Sequence, residues 1–103
     1  MNSLKYSTQT ISKNDIISVS KVLKSELLTQ GPITIKFENK IKNLVESKYA
    51  LAVNSGSSAL LLACKALSLK SGDIFWTVPN SFVATANCGI LCDLKIDFVD
   101  IDN

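Results

Sequence analysis

The chain has 103 residues, of which 47% are hydrophobic and 19% are charged, and its 11 basic residues against 9 acidic ones give a net charge of +2. This composition excludes a disordered tail, a collagen-like repeat and a proline-rich linker, and the length allows one domain at most. The charge is too near neutral, and the lysines too evenly spread, for a nucleic-acid-binding surface.

Several other classes of protein are excluded or disfavoured. The longest apolar stretch, residues 59–69, is interrupted by a lysine and is shorter than the roughly 20 residues of a membrane span. Residues 1–6 lack the apolar core of a secretory signal. The odd number of cysteines (Cys64, Cys88 and Cys92) favours buried thiols over disulfides or a metal site, and the lack of histidine excludes histidine-based nucleophile systems. We therefore expect a cytoplasmic protein without a metal.

The first part of the chain predicts two helices. Ser12 and Asp15 are typical of a helix start, and apolar residues at helical spacing follow them. Pro32 interrupts this pattern, and a second amphipathic helix is predicted from about Thr34. Together these elements predict an amino-terminal helical segment over residues 1–48.

From residue 49 onward, short apolar runs alternate with helical patterns. The predicted elements are three strands at residues 49–53, 74–78 and 95–99, and two helices at residues 57–69 and 81–91, the second capped by Asn80 or Ser81. This β-α-β-α-β order predicts an α/β fold with a mainly parallel sheet. Because three strands leave edges and a face uncovered, residues 49–103 are predicted to be an incomplete part of a larger domain.

One chemical signal lies where the first predicted strand meets a helix, in the run Asn54-Ser55-Gly56-Ser57-Ser58-Ala59-Leu60. A helix start offers free backbone N–H groups and the positive end of the helix dipole, which suit a phosphate. Gly56 would allow close approach, and the hydroxyls would add donors. An ordinary capped turn of small residues is the alternative. The P-loop and GxGxxG patterns are both missing, which disfavours a nucleotide-driven motor or an ordinary dinucleotide site.

A second signal, the run Thr77-Val78-Pro79-Asn80-Ser81-Phe82-Val83-Ala84-Thr85-Ala86-Asn87, follows the second predicted strand. Since the carboxyl ends of parallel strands meet at one edge of a sheet, this run is expected near the first. Phe82 is either a core residue or an aromatic ring that stacks on a flat cofactor. Thr85 and Asn87 are either surface residues or substrate contacts.

Four stretches, in this order, resemble the DegT/DnrJ/EryC1/StrS family of sugar aminotransferases, which use pyridoxal phosphate. They are Leu28-Thr29-Gln30-Gly31-Pro32, Val53-Asn54-Ser55-Gly56-Ser57-Ser58-Ala59-Leu60, Ser81-Phe82-Val83-Ala84-Thr85-Ala86-Asn87 and Phe98-Val99-Asp100-Ile101-Asp102. The first of them, with Tyr6-Ser7-Thr8-Gln9-Thr10-Ile11-Ser12, is most similar to the branch that aminates UDP-linked 4-keto sugars on the pseudaminic acid route.

The resemblance implies a fold and a cofactor site. The fold is part of the large domain of the aspartate-aminotransferase type, in which the first strand is not adjacent to the next two. Gly56, Ser57 and Ser58 match the loop that holds the phosphate of pyridoxal 5′-phosphate. Phe82 matches the aromatic residue that stacks on its pyridine ring.

The resemblance also implies substrates and partners. Thr29, Gln30 and Gly31 match a segment near the substrate pocket, and Asn87 is a weaker candidate. The implied substrates are a nucleotide-linked 4-keto-6-deoxy sugar and an amino-acid donor, glutamate, in surface-polysaccharide or nonulosonic acid biosynthesis. The implied assembly is a homodimer, with neither nucleic acid nor membrane as a partner.

The family's Schiff-base lysine, and the carboxylate that pairs with the pyridinium nitrogen, have no match in this sequence and are expected beyond Asn103. We therefore expect the chain to contain no catalytic residue, to be inactive alone and to be marginally stable by itself. The alternative function is a non-catalytic α/β module for a phosphorylated ligand, including a regulatory relative that lacks the lysine.

Overall fold

The computed structural model of the protein describes residues 7–102. The chain forms two compact units, Met1–Ala52 and Val53–Asn103, here called the helical unit and the sheet unit. The predicted division into residues 1–48 and 49–103 stays a prediction, and the expectation about residues 1–6 lies outside the described residues. Within the described part of the chain, every helix is too short or too polar to cross a bilayer.

The first helix of the helical unit, α1 (Lys13–Leu23), begins with a complete capping box. The Ser12 hydroxyl oxygen accepts a hydrogen bond from the Asp15 backbone N–H at 3.3 Å, and the Asp15 carboxylate accepts from the Ser12 backbone N–H at 2.7 Å. These reciprocal bonds satisfy two backbone donors that a helix start otherwise leaves unpaired. The sequence-based prediction of this helix start is confirmed.

The second helix, α2 (Pro32–Leu44), begins without a side-chain cap. Proline suits the first helical position because its missing N–H would have no acceptor there. Gly31 precedes it and is buried, and a Cβ at Gly31 would collide with the carbonyl oxygen of Leu27. The helix therefore starts at Pro32, two residues before the predicted Thr34.

The sheet unit contains four elements in the order α3 (Gly56–Ala66), β1 (Ile74–Thr77), α4 (Ala84–Ile90) and β2 (Lys95–Phe98). The strands β1 and β2 are parallel neighbours, with Ile74 opposite Lys95 and Thr77 opposite Phe98. This arrangement confirms the predicted α/β class and the parallel pairing of the last two predicted strands.

The core of the sheet unit lies where α4 packs on α3 and on the sheet. Cys64, Cys88 and Leu94 are its buried hydrophobic residues. The buried Gly89 allows the closest approach, because a Cβ there would collide with the Ile96 side chain and lie 3.3 Å from the Phe75 ring. This contact places the α4 backbone directly against the two strands.

The first predicted strand, residues 49–53, is not formed in the described chain. A parallel strand exists by its hydrogen bonds to a neighbour, and the described sheet contains β1 and β2 alone. The apolar run was correctly identified, but its pairing partner is not supplied by β1 or β2. This correction agrees with the implication that the first strand is not adjacent to the next two.

The predicted start of the last helix at Ser81, with Asn80 or Ser81 as its cap, is wrong. The helix α4 begins at Ala84, and Val83 precedes it without a side-chain cap. The Ser81 backbone N–H donates instead to the Pro79 carbonyl at 2.9 Å. Residues 79–83 therefore form a separate turn, here called the Phe82 turn.

Candidate functional site

The start of α3 is built by Ser55, which has extended backbone angles and caps the helix. Its hydroxyl oxygen accepts a hydrogen bond from the Ser58 backbone N–H at 3.2 Å and donates to the Ser58 hydroxyl at 3.1 Å. The N–H groups of Gly56 and Ser57 occupy the first two helical positions, where no intrahelical acceptor exists. They are the donors that a bound anion at this helix start would meet.

Gly56 leaves open space that the fold itself does not require. A Cβ at this position would meet no atom of residues 7–102 within 4 Å, and the backbone angles of Gly56 lie outside the left-handed region that favours glycine. By contrast, Gly89 and Gly31 are glycines because a Cβ would collide with neighbouring atoms. The missing side chain at Gly56 thus permits an outside group to approach the backbone, as a phosphate does.

The second wall of the site is the Phe82 turn. Phe82 follows β1 and precedes α4, and its ring is 75% exposed. The backbone N–H of Thr85 donates to the Phe82 carbonyl at 3.0 Å, which joins the turn to the helix. Phe82 is therefore exposed within the described chain, as an aromatic ring that stacks on a ligand would be, and its role stays a prediction.

Both walls line one cavity of about 360 Å³, here called the cleft. Ser57 and Ser58 lie on the α3 side, and Phe82, Asn87 and Cys88 lie on the other. A neighbouring cavity of about 530 Å³ is lined by Gly56, Ser57, Phe82 and Thr85, among others. The structure thus brings together all four residues predicted to hold the cofactor.

The cleft is electrically neutral in the described chain, because no lysine, aspartate or glutamate lines it. A phosphate bound there would be held by backbone N–H groups, hydroxyls and the α3 dipole rather than by an ammonium group. Such a site binds an anion without a preformed ion pair. The expected absence of a Schiff-base lysine from the chain stays a prediction.

Behind the cleft, two buried thiols join α3 to α4. The Cys64 Sγ donates to the Cys88 Sγ at 3.7 Å, and the Cys88 Sγ donates to the Thr85 carbonyl at 3.0 Å. Burial, reinforced by contact with Cys88, raises the pKa of the Cys64 thiol to about 11. Cys64 is therefore a protonated thiol at neutral pH and serves packing, as the sequence predicts.

Sequence reasoning did not nominate five of the residues that line the cleft. Val83 and Ala84 directly follow Phe82 in the second run. Leu61, Cys88 and Leu91 line the cleft, and their signal is helical spacing: each follows a nominated residue by one helical turn. Thr29, Gln30 and Gly31, predicted near a substrate, lie in the helical unit, so their contact with a substrate stays a prediction.

Comparison with known families gives a match over nearly the whole chain. Residues 9–103 match the DegT/DnrJ/EryC1/StrS aminotransferase family. Among characterised relatives, a UDP-4-amino-4,6-dideoxy-N-acetyl-beta-L-altrosamine transaminase of Campylobacter jejuni is 41% identical over 95% of this chain and 26% of the relative. The chain therefore spans about a quarter of the length of that relative.

Comparison with solved structures gives the same fold. PseC of Helicobacter pylori, described as an aminotransferase involved in the biosynthesis of pseudoaminic acid, matches with a TM-score of 0.87 and 37% identity, over 95% of this chain and 27% of that one. The E. coli GDP-4-keto-6-deoxy-D-mannose-3-dehydratase, solved with bound hydrated PLP, matches with a TM-score of 0.84 and 32% identity, over 92% and 26% of the two chains.

Proposed function

Because the chain belongs to the DegT/DnrJ/EryC1/StrS aminotransferase family, we propose that it is the amino-terminal, cofactor-cradling part of a pyridoxal-phosphate-dependent sugar aminotransferase. The observation that carries this proposal is the pairing of an open helix start at Gly56 with the exposed ring of Phe82 around the cavity next to the cleft. A phosphate and a flat aromatic ring are the two parts of pyridoxal phosphate that need holding.

The residues of the cleft fit this cofactor. The backbone N–H groups of Gly56 and Ser57 and the Ser57 hydroxyl would donate to the phosphate, while Ser55 keeps the Ser58 N–H in the helix cap. The Phe82 ring would stack on the pyridine ring and exclude water from one face. Pyridoxal phosphate itself supplies the electron sink for amino-group transfer.

The proposed substrates are a UDP-linked 4-keto-6-deoxy sugar and an amino-acid donor, glutamate, in nonulosonic acid or surface-polysaccharide biosynthesis. The names of the Campylobacter and Helicobacter relatives support this choice. Thr29, Gln30 and Gly31 are proposed to contribute to the sugar pocket, and the working assembly is proposed to be a homodimer.

The chain is proposed to need a lysine and a carboxylate from outside its own residues to transfer an amino group. The described lining of the cleft offers only neutral groups, which bind and orient but do not exchange an amino group. The activity therefore belongs to the product of the complete reading frame that encodes this sequence. All of the following tests use that protein, called the complete gene product.

The deciding experiment compares the wild type with Ser57→Asp in cofactor retention and amino transfer. The negative charge of Asp interacts favourably with the positive end of the helix dipole, so the variant should still fold. The same charge repels the phosphate. We expect Ser57→Asp to weaken binding of pyridoxamine 5′-phosphate at least about tenfold, a change of about 1.4 kcal/mol. Pyridoxamine 5′-phosphate is the chosen probe because it has no aldehyde to react with surface lysines.

The control is Ser57→Asn, which is polar and nearly isosteric with Asp but uncharged. Unchanged binding in Ser57→Asp would contradict the cleft as the phosphate site. The reaction is tested with glutamate and a UDP-linked 4-keto-6-deoxy sugar, followed by mass spectrometry. An amino sugar supports the proposal, loss of water instead would assign a dehydratase, and binding without turnover would assign a non-catalytic module.

A further inference from the structure

The hydroxyl of Thr85 already has a partner within the chain. The Ser81 Oγ and the Thr85 Oγ1 lie 2.9 Å apart, in a hydrogen bond that either atom can donate. This bond, here called the hydroxyl bridge, spans Phe82, which follows Ser81 directly. The sequence left Thr85 open between a surface residue and a substrate contact, and the bridge gives its hydroxyl a partner within the chain.

The hydroxyl bridge matters because little else holds the Phe82 ring. The ring is 75% exposed, so packing against neighbours does not fix it. The turn leads into α4, which begins without a side-chain cap, so the bridge supplies a side-chain hydrogen bond between the turn and the helix. Two backbone bonds, Ser81 to Pro79 at 2.9 Å and Thr85 to Phe82 at 3.0 Å, complete the closure of the turn.

Thr85 also connects the two walls of the cleft. Its carbonyl accepts the hydrogen bond from the Cys88 thiol at 3.0 Å, and Cys88 accepts one from Cys64 at 3.7 Å. Cys64 belongs to α3, whose first turn contains Gly56 and Ser57. Thr85 is therefore linked to the Phe82 turn through its hydroxyl. It is linked to α3 through its carbonyl and the thiols of Cys88 and Cys64.

We propose that Thr85 is a positioning residue: through the hydroxyl bridge to Ser81 it fixes the Phe82 ring at the distance from α3 that a cofactor ring requires. This inference rests on the proposed function, because it assigns a purpose to the ring only if the cleft binds pyridoxal phosphate. Thr85 lines the neighbouring cavity with Gly56, Ser57 and Phe82, and the role proposed for its hydroxyl is to position the ring.

The test measures binding of pyridoxamine 5′-phosphate to the complete gene product, to three single variants and to one double variant. Thr85→Val removes the hydroxyl at nearly constant volume, and Ser81→Ala removes the other half of the bridge. Each should weaken binding about three- to tenfold, the effect of one net hydrogen bond. Thr85→Ser keeps the hydroxyl and should restore the affinity and the circular dichroism of the bound cofactor. The double variant should lose no more than either single one.

Two further variants separate the outcomes. Thr10→Val, at an exposed threonine before α1, should bind like the wild type. Phe82→Leu should weaken binding if the ring stacks on the cofactor. If both bridge variants bind normally while Phe82→Leu binds more weakly, the positioning role of Thr85 is overturned and the proposed function is kept. No binding by the wild type would overturn the proposed function and this inference together. Additive losses in the double variant would also contradict the bridge.

Discussion

The helical unit and the sheet unit are held together by different physical means. In the helical unit, neither α1 nor α2 buries a residue, and α1 is defined by bonds between Ser12 and Asp15 three positions apart. In the sheet unit, α4 has no side-chain cap and exists because it packs on α3, β1 and β2. Bonds between residues close in sequence define the start of α1, whereas contacts between distant residues define α4.

The candidate site lies in the sheet unit, whose helices and strands are held in place by packing. The cleft lies between α3 and α4, whose contact is supported by the buried thiols of Cys64 and Cys88. A binding site needs walls at a constant separation, which packing supplies and a solvated amphipathic helix does not. Apolar residues of both units, among them Trp76 and Leu44, are exposed in the described chain, and the expected marginal stability of the chain alone stays a prediction.

The largest expected effect comes from filling the closest contact of the sheet unit. Gly89→Val would push a side chain into Ile96 and Phe75, which already leave too little room for a Cβ. Overpacking of this kind costs about 1–3 kcal/mol, more than the gain in helix propensity from replacing glycine. We expect a lower urea concentration at the midpoint of unfolding and weaker binding of pyridoxamine 5′-phosphate in the cleft.

The control for this variant is Ile90→Val on the neighbouring, exposed position of α4. Surface changes of this size alter the free energy of unfolding by less than about 0.5 kcal/mol. Equal stability of Gly89→Val and the wild type would show that α4 does not depend on this contact. The claim that contacts with distant residues hold α4 in place would then be wrong.

A smaller, local effect is expected in the helical unit. Ser12→Ala removes the cap of α1, and such changes cost about 1 kcal/mol. Because α1 buries none of its residues, the loss should appear as faster amide hydrogen exchange in its first turns while the sheet unit is unchanged. Ser18→Ala, on the exposed surface of the same helix, is the control. A change that spread to α4 would contradict the division into locally and distantly supported units.

The same division explains which parts of the molecule were predictable from sequence. The capping box of α1 involves residues 12–15, so its signal is local and the helix start was predicted correctly. The start of α4 was misplaced by three residues because Ser81 resembles a cap, whereas its hydroxyl is bonded to Thr85. No local pattern shows that choice.

The site was predictable to the extent that its residues are adjacent in sequence. The residues around Gly56 and Ser57 predicted a helix start. The apolar run before them, residues 49–53, was predicted to be a strand but forms no strand in the described chain. Phe82 was assigned to the cofactor through a family resemblance, since its position in the sequence alone left it between a core residue and a ring that stacks on a flat cofactor. Cys88 and Leu91 were missed because their place in the cleft depends on how α4 docks.

The smallest expected effect is the acid response of the α1 cap. The backbone N–H and the hydroxyl of Ser12 donate to the Asp15 carboxylate and hold its pKa below the ordinary value of 3.8. Since the pKa is lower in the folded protein than in the unfolded one, the cap stabilises α1 above pH 3.8. Its contribution is lost as the pH falls through the folded-state pKa. The carboxyl carbon shift of Asp15, followed by NMR from neutral to acid pH, measures that pKa directly. In Ser12→Ala the hydroxyl donor is gone, and the pKa of Asp15 should rise towards 3.8. A wild-type pKa of Asp15 at or above 3.8 would show that the capping box is not maintained in solution. The claim that local hydrogen bonds define the start of α1 would then be wrong.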